Sequence, residues 1–399
     1  MEEHNMANNI PIVSVEEFTD IVKQQFEDHD FRPIFGLGKG GIGKTESIEE
    51  MAKELGIGYV DIRLLLYSET DLKGIPFPNE NHTNAIWLQN DILPVESRDG
   101  VKGILVLDEI TSCSKSLRTA AYQLLNERRL GQYSLPPEWM VVCLGNGEED
   151  GGDFEGMEGN FVNRCSLYNV LPNDKVWVRW AVNHDVNPMV TAYIQWKPAD
   201  LHTYKDTGDY DDMLFASPRS WTAVSKILNK HPDELDDRIV SSRILGNLGC
   251  AIGNQFLAFA KFKDKTVPPE DILEAKPGAV DRLNKNIKDN PGKEIILLTI
   301  NEIVKIISSE VDAEANDPER HAGREVNFSD KTIKRVANAM RWFVTINTLE
   351  MQLLAITQFR DSCKNSRLLL LNKKFMTECP EIRQLAVKNS NVLIMNRGM

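Results

Sequence analysis

The chain has 399 residues, of which 42% are hydrophobic and 26% charged, so it reads as an ordinary soluble globular protein and not as a disordered or fibrous one. A formal net charge of −13 excludes sequence-independent coating of DNA, which needs many phosphate-neutralising cations, but leaves room for nucleic acid held in a local basic channel. The length is more than one hydrophobic core usually holds, so two or three domains are expected.

In chain order, the N-terminus MEEHNMANNIP is acidic and polar, unlike a secretory signal or an Arg-rich transit peptide. Residues 31–170 alternate short apolar runs with helical patterns, the signature of an α/β domain with a mostly parallel, five-stranded sheet. Arg32 to Phe35 enters a Gly-rich loop, and a helix follows with Ile48, Met51, Ala52 and Leu55 on one face. Ile57 to Leu66 reads as the second strand and Gly103 to Leu107 as a buried third. A helix with Leu117, Ala121, Leu124 and Leu125 on its core side comes next, then strands at Trp139–Leu144 and Ser166–Val170.

Beyond Leu171 helical periods take over, broken at Pro188, Pro198, Pro218 and Pro232. The run from Pro268-Pro269 to Pro277-Gly278 reads as a boundary. Past it, Lys293–Val311 and Ser329–Phe359 are strongly helical, joined by a polar link, DAEANDPERHAGRE, that is expected to be mobile. The expected division is an α/β domain at 8–172, a helical lid domain at 173–275 and a helical extension at 276–399. The six cysteines include no C-x-x-C and the seven histidines no H-E-x-x-H, so no zinc site is expected. No apolar run approaches the roughly 18 residues of a membrane span, and the cytoplasm is the expected compartment.

Gly38-Lys39-Gly40-Gly41-Ile42-Gly43-Lys44-Thr45 fits G-x-x-x-x-G-K-[ST] and stands between a strand and a helix. Glycines let successive N–H groups turn inward around phosphate oxygens, and the helix N-terminus adds its positive end. The stretch from Gly38 through Glu46 is therefore the candidate nucleotide cradle, with Lys44 for the β- and γ-phosphates and Thr45 for Mg²⁺. Two other readings share these residues. Gly36-x-Gly38-x-x-Gly41 mimics a dinucleotide fingerprint, although the Lys-Thr that follows fits phosphate and magnesium better. Lys39 through Thr45 also resembles the variant loop of ParA and nitrogenase-iron-protein ATPases, dimeric switches in which a lysine at the place of Lys39 serves the neighbouring subunit.

The strand Gly103–Leu107 runs into Asp108 and Glu109. Asp108 is the candidate for the magnesium shell, and Glu109 is placed to polarise a water for in-line attack on a γ-phosphate. The strand Met140 to Leu144 ends in Gly145-Asn146, and Asn163-Arg164-Cys165 and Ala216-Ser217-Pro218-Arg219-Ser220-Trp221 follow. In this order the segments resemble those of AAA+ ATPases over residues 31–225. The resemblance implies that Asn146 (sensor 1) orients the water, that Arg164 is the arginine finger for the adjacent subunit, and that Arg219 (sensor 2) faces the phosphates in cis.

Asp71-Leu72-Lys73-Gly74-Ile75-Pro76 resembles the D-L-x-G-x-P segment of the MoxR branch, after which a substrate-facing insert usually lies. Asn126 through Gly131 with Tyr133–Trp139 resembles its E-x-R-x-G stretch and hairpin. Gly40-Gly41 replaces the Pro-Gly more common there, and Cys165 replaces Phe. Arg128 and Arg129 are rival inter-subunit arginines, with salt bridging along their helix as the plainer role. The resemblance implies an ATP- and Mg²⁺-dependent homo-oligomeric ring, expected as a hexamer. It further implies a client protein that the ring remodels and a partner carrying a von Willebrand A domain. A nucleic-acid motor of phage or restriction biology, or a ParA-like switch, stays open; between residues 72 and 100 only Lys73 and Arg98 are Lys or Arg, which disfavours the motor. The segment Glu148–Gly159 carries six carboxylates in twelve residues and is expected to be a solvated loop, with partner contact as the sharper alternative.

Overall fold

The computed structural model describes residues 10–88, 90–147, 164–204, 214–322 and 325–380. The chain divides into two compact units. The first runs to Val176 and includes Ser217–Arg219; the second comprises Trp177–Thr203, Leu214–Ala216 and the chain from Ser220 onward.

The first unit is built on a parallel sheet of six strands: β1 (Ile12–Ser14), β2 (Ile34–Leu37), β3 (Gly58–Arg63), β4 (Lys102–Asp108), β5 (Glu138–Gly145) and β6 (Ser166–Leu171). Their spatial order is β1-β6-β2-β5-β4-β3, and every pairing is parallel. The five strands expected from the sequence thus gain a sixth. The added strand is three residues long, too short to show a periodic pattern, and it exists because β6 offers it an edge, with Val13 opposite Val170. The second strand is also shorter than expected: after Arg63 the chain turns into a 3-10 helix, Leu64–Leu66.

Helices cover both faces. Helix α1 (Val15–Glu27) starts on a capping box, in which the Ser14 hydroxyl accepts from the Glu17 N–H and the Glu17 carboxylate accepts from the Ser14 N–H. With α2 (Lys44–Leu55) it packs Phe18, Val22, Ile48 and Met51 against Ile104, Val106, Val142 and Leu144. Helix α3 (Lys115–Glu127) packs Leu117, Ala121 and Leu124 on the opposite face, against Leu105, Leu107, Val141 and Cys143. Residues 104–107 therefore alternate between two buried faces, which is why their sequence is continuously apolar.

Between β3 and β4 the helix Glu69–Lys73 leads into an antiparallel hairpin, Ile75–Pro78 with Ala85–Leu88. A smaller hairpin, Arg129–Leu130 with Tyr133–Ser134, follows α3.

The second unit is helical, and one buried cluster runs through it from Trp177 to Cys379. The helical lid and helical extension expected on either side of residue 276 both contribute to this shared core. Its longest member, Glu294–Ala315, buries residues on several faces, including Leu297, Ile300, Val304 and Val311. Asn301, Gln195 and Gln358 close a ring of three amide hydrogen bonds across three helices. The stretch expected as one helix from Ser329 to Phe359 is two, Asp330–Thr345 and Leu349–Ser362, the second capped by the Thr348 hydroxyl. The link expected to be mobile carries a 3-10 turn, Pro318–Arg320, and the paired strands His321–Ala322 and Glu325–Val326. Among the described residues no helix is long and apolar enough to cross a membrane.

Candidate functional site

Strand β2 lies at the centre of the sheet with β5 on one side and β6 on the other. From β2 the chain reaches the far edge at β3, returns through β4 and β5, and then crosses to β6. Such a reversal opens a crevice at the carboxyl ends of the strands, where α/β proteins bind ligands.

The loop leaving β2 is fixed by close approach. Gly38 donates its N–H to the Gly145 carbonyl at 3.0 Å, and a Cβ on it would stand 2.1 Å from the Val170 carbonyl oxygen. Gly41 and Gly43 hold φ of +76° and +97°, values that glycine adopts without strain. Ile42 anchors the loop in the core. Lys44 begins α2 with its side chain buried, and its ammonium donates to the carbonyls of Gly38 and Lys39 at 2.7 and 2.9 Å. Lys39 is half-buried, and Gly40 and Glu46 are exposed.

At the end of β4, Asp108 accepts a hydrogen bond from the Thr45 hydroxyl at 3.2 Å on one carboxylate oxygen and from the Glu109 N–H at 2.8 Å on the other. A hydroxyl beside a carboxylate is a hard-oxygen donor set of the kind that suits Mg²⁺, and the buried ammonium beside it suits phosphate. Glu109 takes a positive φ of 57°, rare outside glycine, and its carboxylate is 3.9 Å from the Arg63 guanidinium. Asn146 follows β5, its N–H held by the buried Thr111 hydroxyl at 2.9 Å. Arg219 donates its N–H to the Gly41 carbonyl at 3.1 Å, and its guanidinium is 3.9 Å from the exposed Glu46 carboxylate.

Three residues around the site escaped the sequence reading. Thr111 holds Asn146 and packs on Gly145. The Tyr59 hydroxyl reaches the Thr45 carbonyl at 3.5 Å, and burial pushes its pKa up, with Asp61 next in effect. The Asp61 carboxyl is pushed up to about 6, first by burial and then by the Asp108 charge, with Arg63 opposing. Tyr59 and Asp61 come from alternation along β3 and Thr111 from the turn after β4; only the polar run Thr111-Ser112-Cys113-Ser114 gives any linear signal.

The arginines divide. Arg164 is exposed just before β6, where Ser166 pairs with Ile34 at the start of β2. Its carbonyl accepts from the Arg32 guanidinium at 3.4 Å. It therefore stands at the opposite end of β2 from the loop, ~20 Å along the strand direction. Among the described residues Arg128 makes no salt bridge along its helix, the plainer role expected for it. It caps α3 with φ of +53° and donates to the carbonyls of Pro136, Pro137 and Trp139 at 2.9, 3.1 and 2.6 Å. Its guanidinium also stacks 5.6 Å from the Phe31 ring. Arg129 is exposed on the short hairpin. The acidic segment at 148–159 lies outside the described residues.

No protein-family model matches the chain, and no curated protein matches it. Among solved structures, it is similar to a Cytophaga hutchinsonii protein described as an ATPase, at 14% identity and a TM-score of 0.31 over 86% of this chain and 80% of that one. It is also similar to Hsp104 with ATPγS and casein, at 15% identity and a TM-score of 0.34 over 62% of this chain and 46% of that one.

Proposed function

We propose that this chain is an Mg²⁺-dependent ATPase of the AAA+ type, closest to the MoxR branch, that works as one subunit of a ring. The observation that carries the reading is the joint placement of Lys44, Thr45, Asp108 and Glu109 at the carboxyl ends of β2 and β4. A nucleotide triphosphate entering the loop would replace the two carbonyls that Lys44 now holds with β- and γ-phosphate oxygens. Mg²⁺, held by Thr45 with Asp108 in its shell, would offset charge on those oxygens. Glu109 would take the proton of an attacking water that Asn146 helps orient, while Arg219 faces the phosphates in cis.

Arg164 stands too far from its own loop to act there, and its exposure at the other end of β2 suits a role in the neighbouring subunit's site. A finger of this kind acts on transition-state charge, so the proposed site is complete only between subunits, and a hexamer is the proposed ring. The proposed substrate of the machine is a client protein, with a von Willebrand A domain protein as a further proposed partner. The hairpin after β3 favours protein over nucleic acid, because Ile75, Phe77 and Leu88 expose more than half their surface, and apolar exposure on this scale suits a protein contact.

The test is the native mass of the Glu109→Gln chain with and without ATP and Mg²⁺, since this variant should hold the bound state. A hexamer-sized species appearing with nucleotide is expected. A nucleotide-dependent dimer would transfer the reading to the ParA-like switch built on Lys39. Stimulation of turnover by DNA or RNA with a steep salt dependence would transfer it to a nucleic-acid motor.

A further inference from the structure

Away from the loop, the second unit holds a basic pocket that the ATPase reading does not use. It lies between the C-terminal halves of the helices Pro218–Lys230 and Arg238–Leu248, with a volume of about 410 Å³. Lys226 and Lys230 line it from one helix and Arg243 and Asn247 from the other, with Ala223 and Ile227 as an apolar floor. The pocket is open to solvent, with Lys226, Lys230 and Arg243 all exposed.

The charges are the unusual part. Lys226 and Lys230 are four residues apart on one helix face, a like-charge spacing that disfavours the isolated helix. Neither has a carboxylate partner among the described residues, and nor does Arg243, although the chain is acidic overall. The acids of the adjoining turn are engaged elsewhere: Asp233 with Lys263 at 3.5 Å, Asp236 with Lys261 at 3.9 Å and Glu234 with His231 at 3.1 Å. Asp237 caps the second helix. The Arg243 guanidinium lies 3.5 Å from the His231 ring nitrogen, which steadies it without neutralising it. Three cations thus line one cavity, and the nearest acid in the bonded network, Glu234, reaches Arg243 only through His231.

We propose that this pocket binds a small phosphate-bearing molecule, its phosphate oxygens held by Lys226, Lys230 and Arg243 and its less polar part resting on Ala223 and Ile227. The three cations are the charged groups among the residues that line the pocket. The side chains therefore carry the binding, and removing their charge removes the site.

The experiment is titration calorimetry of the full chain with inorganic diphosphate. The Lys44→Ala background removes the phosphate loop as a competing site, and in it one equivalent of diphosphate is expected to bind. Adding Lys230→Ala and Arg243→Ala should weaken that binding roughly tenfold or more. Both side chains are exposed, so an unchanged thermal melt separates lost binding from lost folding. Binding unmoved by these changes would overturn the proposal. So would oligothymidylate binding more tightly than diphosphate, which would make the surface a nucleic-acid contact. If wild type and Lys44→Ala take up the same single equivalent, the phosphate-loop reading fails, while the pocket stands so long as the charge removals weaken uptake roughly tenfold or more.

Discussion

The Thr45 hydroxyl donates to the Asp108 carboxylate at 3.2 Å, joining the first turn of α2 to the end of β4 across 63 residues of sequence. It brings two hard oxygens together at one point of the crevice. Thr45→Ala and Asp108→Asn should each cut turnover by about 100-fold or more. Each should also make nucleotide affinity nearly independent of magnesium. Affinity measured with and without Mg²⁺ checks this, and a retained magnesium dependence in both variants would remove the pair from the metal site.

Glu109 is the proposed base, and among the described residues its partly exposed carboxylate forms one ion pair, with Arg63 at 3.9 Å. Glu109→Gln should therefore lower turnover by roughly 100-fold or more and leave the melting temperature and ATP affinity nearly unchanged. Normal phosphate release from this variant would sink the assignment.

Arg164 and Arg128 should respond in opposite ways. Arg164→Ala should leave stability intact and abolish turnover. Mixing it with Glu109→Gln subunits should restore part of the activity, because a mixed interface joins an intact base to an intact finger. Arg128→Ala strips the donor from three carbonyls and should cost about 2–3 kcal/mol of stability. Thermal melts and phosphate release on the same samples separate the two.

The glycines of the loop after β2 differ in what an added side chain would meet. A methyl on Gly38 would meet the Val170 carbonyl oxygen at 2.1 Å, whereas one on Gly40 would meet nothing within 4 Å. Gly38→Ala should destabilise the first unit by roughly 3 kcal/mol or more. Gly40→Ala should change stability by no more than ~0.5 kcal/mol. Equal melts for the two would mean the loop rearranges freely.

Asp61 gives a pH dependence with a definite sign. Its folded pKa of about 6 lies above the ordinary 3.8, so between those values the folded chain binds more protons than the unfolded one. Stability should therefore fall as pH rises through that window. Asp61→Asn should remove this part of the loss, so that the variant gains on wild type from about pH 4 to pH 6 and stays ahead above it. The exposed flank of Asp61 keeps the gain small. Melts in magnesium-free buffer check it, and a gain confined to low pH would reverse the argument.

Much of the architecture was legible because it rests on local rules. The run Gly103–Leu107 is apolar throughout because it is buried on both faces, and α3 shows its core side at Leu117, Ala121 and Leu124. The glycine-rich loop was legible for the same reason, since glycines at Gly41 and Gly43 answer a local backbone need. Less legible were the three-residue β1, which exists only because β6 offers an edge, and the break before Leu349, where Thr348 caps a new helix.

By itself, then, the sequence determined the alternation of strand and helix and the glycine-rich turn between β2 and α2, because each depends on neighbours a few residues away. Only the tertiary structure decided that Thr45 meets Asp108, that Thr111 holds Asn146, that Arg128 is occupied by three carbonyls while Arg164 stands exposed, and that three cations share one pocket. Those relations depend on which strand pairs beside which and how helices pack, and no linear spacing encodes the distance between side chains that far apart in the chain.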